Sequence, residues 1–431
     1  MGPPWVVRLG FTALALVAAC SAADDQDQPA PPCRDVAFVG LHLDTDGAPV
    51  ARTTLADDSS LVALGEHAQL PAHADPSATI YMWTPSGAVT RVVAVGPISA
   101  ITGVVGLPAG GFAYGVFSVD GTPGQTGQWI SKGVHGRVVG RGPDGVDTWA
   151  VSIEGVPLTL SLSADGWITT VVSHEDVSVD DGRFQLHGSA PRTLVRIRID
   201  GSAVESLPLP AVPVPAGKAL VWLSAVEPFG AELLMWTDVT PENQLFNEPP
   251  DDLLLTVLRA DGAPRISRTL RKWIPEWRSV HGDRILLIGS LGGERHLLVL
   301  GHDLETLMDR AVLLDGHVQG ADLLPDGRIL LSIDGDFSVD GVEVPPFVVR
   351  CPLDGEGVET SCTLPSRALI AMLDASGHAA WAQRVLADRQ HAPMGVGGAN
   401  YGGAVRLDAS GRVVLLGGGG TDHYRMTCVP R

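Results

Sequence analysis

From residue 33 onward the chain alternates apolar and polar positions in short runs, and each run stops at a turn signal. Arg328-Ile329-Leu330-Leu331-Ser332-Ile333, Thr193-Leu194-Val195-Arg196-Ile197-Arg198-Ile199 and Arg412-Val413-Val414-Leu415-Leu416 read as strands, because they are dense in aliphatic and β-branched residues. The turns between runs repeat one chemistry. Leu373-Asp374-Ala375-Ser376-Gly377 and Leu407-Asp408-Ala409-Ser410-Gly411 are the clearest, and residues 43–47, 162–166, 258–262 and 324–327 follow the same form. Asp and Ser bond back to the backbone, and Gly takes the positive φ of a tight hairpin. No sustained 3.6-residue apolar period follows the first twenty residues, so the pattern predicts hairpins with little helix.

A longer similarity groups the hairpins in pairs. Residues 323–364 run through Leu-Pro-Asp-Gly-Arg-Ile-Leu-Leu, then Asp336-Phe337-Ser338-Val339-Asp340-Gly341, then Phe347-Val348-Val349-Arg350, then an Asp-Gly turn. Residues 162–207 follow the same order through Asp176-Val177-Ser178-Val179-Asp180-Asp181-Gly182, and 107–123 start a third copy at Phe117-Ser118-Val119-Asp120-Gly121. Two hairpins make a four-stranded unit, and first turns recur every 45–60 residues or so, the spacing of propeller blades. The expectation is an all-β fold, a β-propeller of about seven four-stranded blades; tandem β-sandwiches are the alternative. Pro228-Phe229-Gly230, His281-Gly282-Asp283 and His302-Asp303-Leu304-Glu305 depart from the turn pattern, so their blades rest on spacing alone. Residues 35–55 read as the outer half of a blade with no inner half before them, and the C-terminal strand ending at Cys428 is expected to pair there and close the ring.

This pattern resembles the β-propeller repeats of bacterial surface and secreted proteins, in which strand, Leu-Asp-x-x-Gly, strand and a Val-Asp-x-Gly loop recur. The residues that carry the resemblance are 373–381, 405–418 and the Phe-Ser-Val-Asp-Gly copies at Phe117 and Phe337.

The first twenty residues are of another kind. One charge, Arg8, precedes an apolar run over residues 9–19 that ends Leu16-Val17-Ala18-Ala19-Cys20. That is a secretory signal layout, and the run is well short of the roughly 20 residues a spanning helix needs. With Cys at the cleavage point it resembles a bacterial lipobox, which implies that Cys20 becomes the first mature residue and carries lipid. The acidic, Pro-rich residues 21–32 have nothing to bury and read as a tether, and residues 33–431 as the propeller domain. The protein is therefore expected in the cell envelope, lipid-anchored and periplasmic or surface-exposed.

Export permits disulfides. With Cys20 set aside, Cys33, Cys351, Cys362 and Cys428 remain. Cys351 and Cys362 flank residues that read as a hairpin around Asp354-Gly355; opposite positions across its ladder would bring them within bridging reach, which favours their pairing and leaves Cys33 to join Cys428 across the two chain ends. No Cys-x-x-Cys argues for a metal instead. The net charge of −19 argues against nucleic acid as a partner and against lying on an anionic bilayer.

Motifs that carry chemistry are sparse. Asp334, Asp336 and Asp340 alternate along one loop and form a candidate Ca²⁺ site, although Asx turns explain the same spacing; no other cofactor is implied. The chain holds no His-Glu-x-x-His, no Gly-x-Ser-x-Gly and no phosphate loop. Trp residues such as Trp83, Trp167, Trp236 and Trp381 suit the packing between sheets better than a sugar platform. The favoured reading is a non-catalytic binding or scaffold module for an envelope protein or glycan. A hydrolase or lyase acting on polymer at the propeller channel is the alternative, and two buried carboxylates beside an Arg or His at the channel mouth would mark it. Mass spectrometry of the mature N-terminus is expected to show a blocked, diacyl-modified Cys20; a free N-terminus at another residue would refute the lipid anchor.

Overall fold

In a computed structural model the described residues form seven antiparallel blade sheets arranged as a β-propeller, with three small extra sheets and no helix. Outside the described residues lie 1–32, 43–46, 67–77, 87, 97–98, 121–128, 132, 175, 181–182, 188–191, 211–217, 242–251, 313–315, 335–337, 340–341, 344–348, 351–360, 363–367, 385–403, 420–421 and 431. Blade 1 is Gly47–Thr54, Ser60–Glu66, Ala78–Trp83 and Val89–Val95, from the axis outward. Blade 2 is Ser99–Gly106, Phe112–Val119, Val134–Arg141 and Asp147–Glu154. Blade 3 has a split inner strand, Val156–Pro157 and Ser161–Leu162, then Trp167–Ser173, Arg192–Arg198 and Val204–Pro208. Blade 4 is Lys218–Phe229, Glu232–Pro241, Asp252–Leu258 and Pro264–Arg271. Blade 5 is Trp273–His281, Arg284–Leu291, Glu294–Leu300 and Thr306–Ala311. Blade 6 is His317–Leu323, Ile329–Asp334, Ala368–Leu373 and Ala379–Arg384. Blade 7 takes Ala404–Leu407, Val413–Gly419 and Asp422–Pro430 from the end of the chain and its outermost strand, Cys33–His42, from the beginning.

The core lies between blades rather than at the centre. Alternation along a strand sends successive side chains to opposite sheet faces, and each face meets the next blade. Leu286, Ile288, Val318, Ile329, Leu331 and Leu369 fill the gap between blades 5 and 6, while Leu330 and Ile370, on the alternate positions, fill the gap to blade 7. Of the Trp residues, Trp83, Trp236 and Trp273 are fully buried in these gaps, and Trp381 packs at the edge of one. Trp167 lies half-buried beneath the guanidinium groups of Arg196 and Arg198, 4.7 and 5.0 Å from its ring centre.

The repeated turn has one geometry. In the turns starting at Ser163, Arg259, Leu324, Asp374 and Asp408, the first N–H bonds the carbonyl four residues on, and the fourth residue's N–H bonds back to the first carbonyl. That fourth residue has positive φ and is Gly at each of these positions. The Asp374 carboxylate accepts from the N–H groups of Ser376 and His378 and from the Ser376 hydroxyl, which holds its pKa below the usual range. The segment 301–305 adopts the same turn, with Leu304 in the Gly position at φ 58°. A Leu there is strained by about 1 kcal/mol or more. Its side chain is nevertheless buried with Phe229 and Leu300, which offsets the strain. The hairpins at 229–232 and 281–284 are instead two-residue turns led by Gly230 and Gly282, each at positive φ.

Three readings of the sequence need correction. Residues 35–55 are not the outer half of one blade: Cys33–His42 is the outer strand of blade 7, and Gly47–Thr54 opens blade 1 as its inner strand. Two adjacent strands of similar pattern therefore belong to different sheets. Phe117-Ser118-Val119 is the end of a blade strand, whereas Asp176–Asp180 and Ser338–Val339 form extra hairpins after the second strand of blades 3 and 6. The strand Asp176–Asp180 also pairs with Trp129–Ser131, an excursion of blade 2. The turn at 43–47 connects two blades and lies, apart from Gly47, outside the described residues.

The closing strand pairs from Cys33 opposite Pro430 to His42 opposite Asp422, and Cys33 is disulfide-bonded to Cys428 with a Cα–Cα distance of 5.6 Å. This bond spans a sequence separation of 395. In the chain-entropy model so long a loop is worth about 6 kcal/mol, and losses of about 2–5 kcal/mol are usual when a native bridge is removed. Cys428→Ser is expected to lower the melting temperature by several degrees and to bring the first protease cuts near both chain ends. An unchanged melting temperature, or first cleavage at mid-chain, would contradict the closure.

Candidate functional site

The inner strands surround the axis and pair on one side only, so their free edges face the channel. Most of them carry a β-bulge. The register shifts at Pro49/Ala51 in blade 1, Ile101/Gly103 in blade 2, Leu220/Trp222 and Leu223/Ala225 in blade 4, Pro275/Trp277 in blade 5 and Val318/Gly320 in blade 6. A bulge adds one residue and so exchanges the two faces of the strand beyond it. In blade 5, Trp273 faces blade 4 before the bulge, and Val280 faces blade 4 after it. Trp277 therefore faces blade 6, and Ser279 and His281 follow it.

Past the bulges, the inner strands of blades 4, 5 and 6 carry charged or polar residues among the apolar ones: Glu227, then Arg278, Ser279 and His281, then Asp322. Arg278 bonds Asp238 at 3.5 Å and lies 5.7 Å from the Trp236 ring, beside Glu227 of blade 4. The Ser279 hydroxyl and His281 Nε2 share a hydrogen bond of 2.8 Å, and the imidazole Nδ1 is 3.4 Å from the Asp322 carboxylate of blade 6. Asp322 in turn accepts from the Leu407 N–H and faces Arg406 of blade 7. Arg406 reaches Asp58 of blade 1 at 3.2 Å. Glu227, Arg278, His281, Asp322, Arg406 and Asp58 thus form a belt from blade 4 round to blade 1, on the side of the short turns.

Burial sets the charge state of this belt. It pushes the Glu227 carboxyl up to about 7, against the opposing pull of Arg278 and the Trp236 indole. Burial, aided by Arg284, pushes His281 down to about 4, and burial raises Asp322. The belt therefore holds a carboxyl poised near neutrality and an imidazole that stays neutral at physiological pH. Such displaced groups are more frequent at working sites than elsewhere.

The sequence-predicted site residues fare differently. Cys33 and Cys428 are joined. Cys362 sits in a short strand opposite Val349, and its proposed partner Cys351 lies outside the described residues. Asp334 ends the second strand of blade 6, while Asp336, Asp340 and Cys20 lie outside the described residues. Among the described residues no group of three or more His, Cys, Asp or Glu could hold a metal ion. The belt escapes a reading of the sequence because its members stand on separate strands, far apart in the chain. The one local signal is Ser279-Val280-His281 at the end of a strand.

No protein-family model matches the chain, and no curated protein does. Among solved structures it is similar to a streptogramin B lyase, at 10% identity over 91% of this chain and 98% of that one, with a TM-score of 0.49. It is similar also to a variant of a Synechocystis apocarotenoid oxygenase, at 12% identity over 79% of this chain and 72% of that one, with a TM-score of 0.44. A Bacteroides caccae protein of unknown function matches at 10% identity over 80% of this chain and 93% of that one, with a TM-score of 0.38. These likenesses concern overall shape and bring no residue correspondence.

Glu227 yields a pH test with a fixed sign. Its folded-state pKa of about 7 lies above the ordinary value of 4.5, so folding takes up a proton between those pH values. The stability this contributes is full below about pH 4.5 and lost as pH rises through about 7, a loss of about 3 kcal/mol. Glu227→Gln is expected to match the wild type near pH 5 and to exceed it in urea midpoint at pH 8. Parallel stability curves over that range would show that Glu227 titrates normally.

Proposed function

We propose that this protein is a lipid-anchored binding or scaffold module of the bacterial cell envelope, with its partner on the side opposite the short turns. One observation carries the reading. Every connection on the turn side is short, from the pair Gly230-Ala231 to the segment 199–203. The long connections, 67–77, 120–133, 174–191, 209–217, 242–251, 335–367 and 385–403, all leave from the opposite side. Rigid rings bind through such variable loops on one face. Topology supports an orientation. Cys33 begins its strand beside Pro430, on the turn side, so a tether of residues 21–32 enters there and holds the long connections away from the membrane. An envelope protein or a glycan is the partner class.

Replacing the hairpin formed by Asp176–Asp180 and Arg183–His187 with a Gly-Ser link is expected to abolish capture of a crosslinked envelope partner, while Asp374→Ala on the turn side leaves it intact. Equal capture by both variants would refute the assignment of faces.

A second reading has its own support. Glu227 and Asp322 are carboxylates raised by burial, with His281, Arg278 and Arg406 beside them at the channel. Each carboxyl has a basic partner of its own, Arg278 for Glu227 and His281 with Arg406 for Asp322, which supports a hydrolase or lyase acting at the propeller channel.

A further inference from the structure

We infer that Ser279, His281 and Asp322 form a nucleophilic site for carboxylic esters at the turn-side mouth of the channel. The inference rests on the second reading above and names its nucleophile and its substrate class.

The geometry comes from two neighbouring inner strands. Ser279 and His281 stand two residues apart on blade 5, so both side chains point to the same face. The bulge at Pro275/Trp277 turns that face toward blade 6, where Asp322 stands near the end of the next inner strand. The Ser279 hydroxyl is 2.8 Å from His281 Nε2, and the Leu323 N–H approaches the same nitrogen at 3.4 Å. A backbone N–H can only donate, so Nε2 is an acceptor, and the Ser279 hydroxyl competes at the shorter distance for its single lone pair. The imidazole proton is therefore on Nδ1, whose 3.4 Å to the Asp322 carboxylate is an ion-pair distance rather than an aligned hydrogen bond. This is the tautomer that a serine–histidine–carboxylate relay requires. Asp322 is itself fixed by the Leu407 N–H and by Arg406, so the carboxylate is held from the blade 7 side. The side chains of His281 and Asp322 keep 20% and 23% of their surface exposed, and Ser279 is half-buried, so all three groups reach solvent.

The step balances on these atoms with water as co-reactant. The Ser279 Oγ attacks the ester carbonyl carbon, and its proton passes to His281 Nε2. The tetrahedral adduct expels the alkoxide, which takes that proton and leaves as the alcohol. Water then attacks the acyl-serine, gives its proton through His281 to Ser279, and releases the carboxylic acid. The charged groups that face this imidazole are Asp322 from blade 6 and Arg284 from its own blade, and burial with Arg284 keeps it neutral down to about pH 4. The base is weak but remains available across the whole physiological range.

The test uses the full chain, a fluorophosphonate probe and p-nitrophenyl acetate. One probe adduct per chain is expected, located by peptide mapping at Ser279 and absent in Ser279→Ala. Labelling in His281→Gln should fall at least about a hundredfold. Asp322 is a positioning residue, and Asp322→Asn should slow labelling and shift its acid limb. The wild-type rate should be flat above about pH 5 and drop near pH 4. Unaltered melting temperatures in Ser279→Ala would separate loss of the nucleophile from loss of the fold. No adduct, an adduct elsewhere, or equal rates in His281→Gln overturn the inference. Polymer cleavage that persists in Ser279→Ala and is lost in Glu227→Gln overturns it while leaving the channel-enzyme reading standing; absence of both labelling and cleavage overturns both.

Discussion

Strand Cys33–His42 hydrogen-bonds along Asp422–Pro430, and the rest of the ring depends on that pairing. Without it blade 7 has three strands and an open edge, and the seam toward blade 1 loses its support. The seam differs from the other gaps. Its apolar filling is small, chiefly Val62, Leu64, Trp83 and Leu416. Polar contacts supply the remainder: Asp58 holds Arg406 and the Ala409 N–H, and the buried Arg425 reaches the Ser60 hydroxyl and the Asp58 carbonyl. A seam joined by directional bonds has one register, whereas a purely apolar one could slide. The disulfide between Cys33 and Cys428 holds the closing strand to its neighbour within blade 7, and both cysteines pack in the gap toward blade 6.

The bulged inner strands connect this architecture to chemistry. Regular strands would place one face toward each neighbouring blade along their whole length, and apolar packing would run up to both mouths. The extra residue at Pro275/Trp277 exchanges the faces, and the polar ends of the strands then meet across the gaps instead of pointing at apolar partners. The cost is the burial of ionisable groups, visible in the displaced titrations of Glu227, His281 and Asp322. The belt thus joins neighbouring blades and concentrates reactive groups with the same residues.

The turns were legible because the residue needed for their backbone is also a letter in the sequence: Gly at 166, 262, 327, 377 and 411 reports positive φ directly. Leu304 and Asp58 escaped that reading, since burial in one case and bonds to Arg406 in the other support a conformation that their side chains disfavour. The bulges left no signature, because one added residue in an alternating strand reads as ordinary alternation. The belt was illegible for a further reason. Its contacts join Glu227 to Arg278 and His281 to Asp322 across blades, and only the ring brings those positions together. The sequence marks an N-terminal strand that closes the ring, but not its boundary with blade 1, where two similar strands follow each other.

The closing strand has a further consequence in time. Cys33–His42 is the first described segment to leave the ribosome, and its partner Asp422–Pro430 is the last. Blades 1 to 6 can form in order as the chain appears, each from its own residues. The first strand must wait, unpaired, until the whole ring has been made. Until then it is an exposed sheet edge beside a free thiol, a ready template for pairing with another chain. Maturation of this protein is therefore paced by the strand made last, and a chain stopped just before that strand would be an incomplete ring with its first strand still unclaimed.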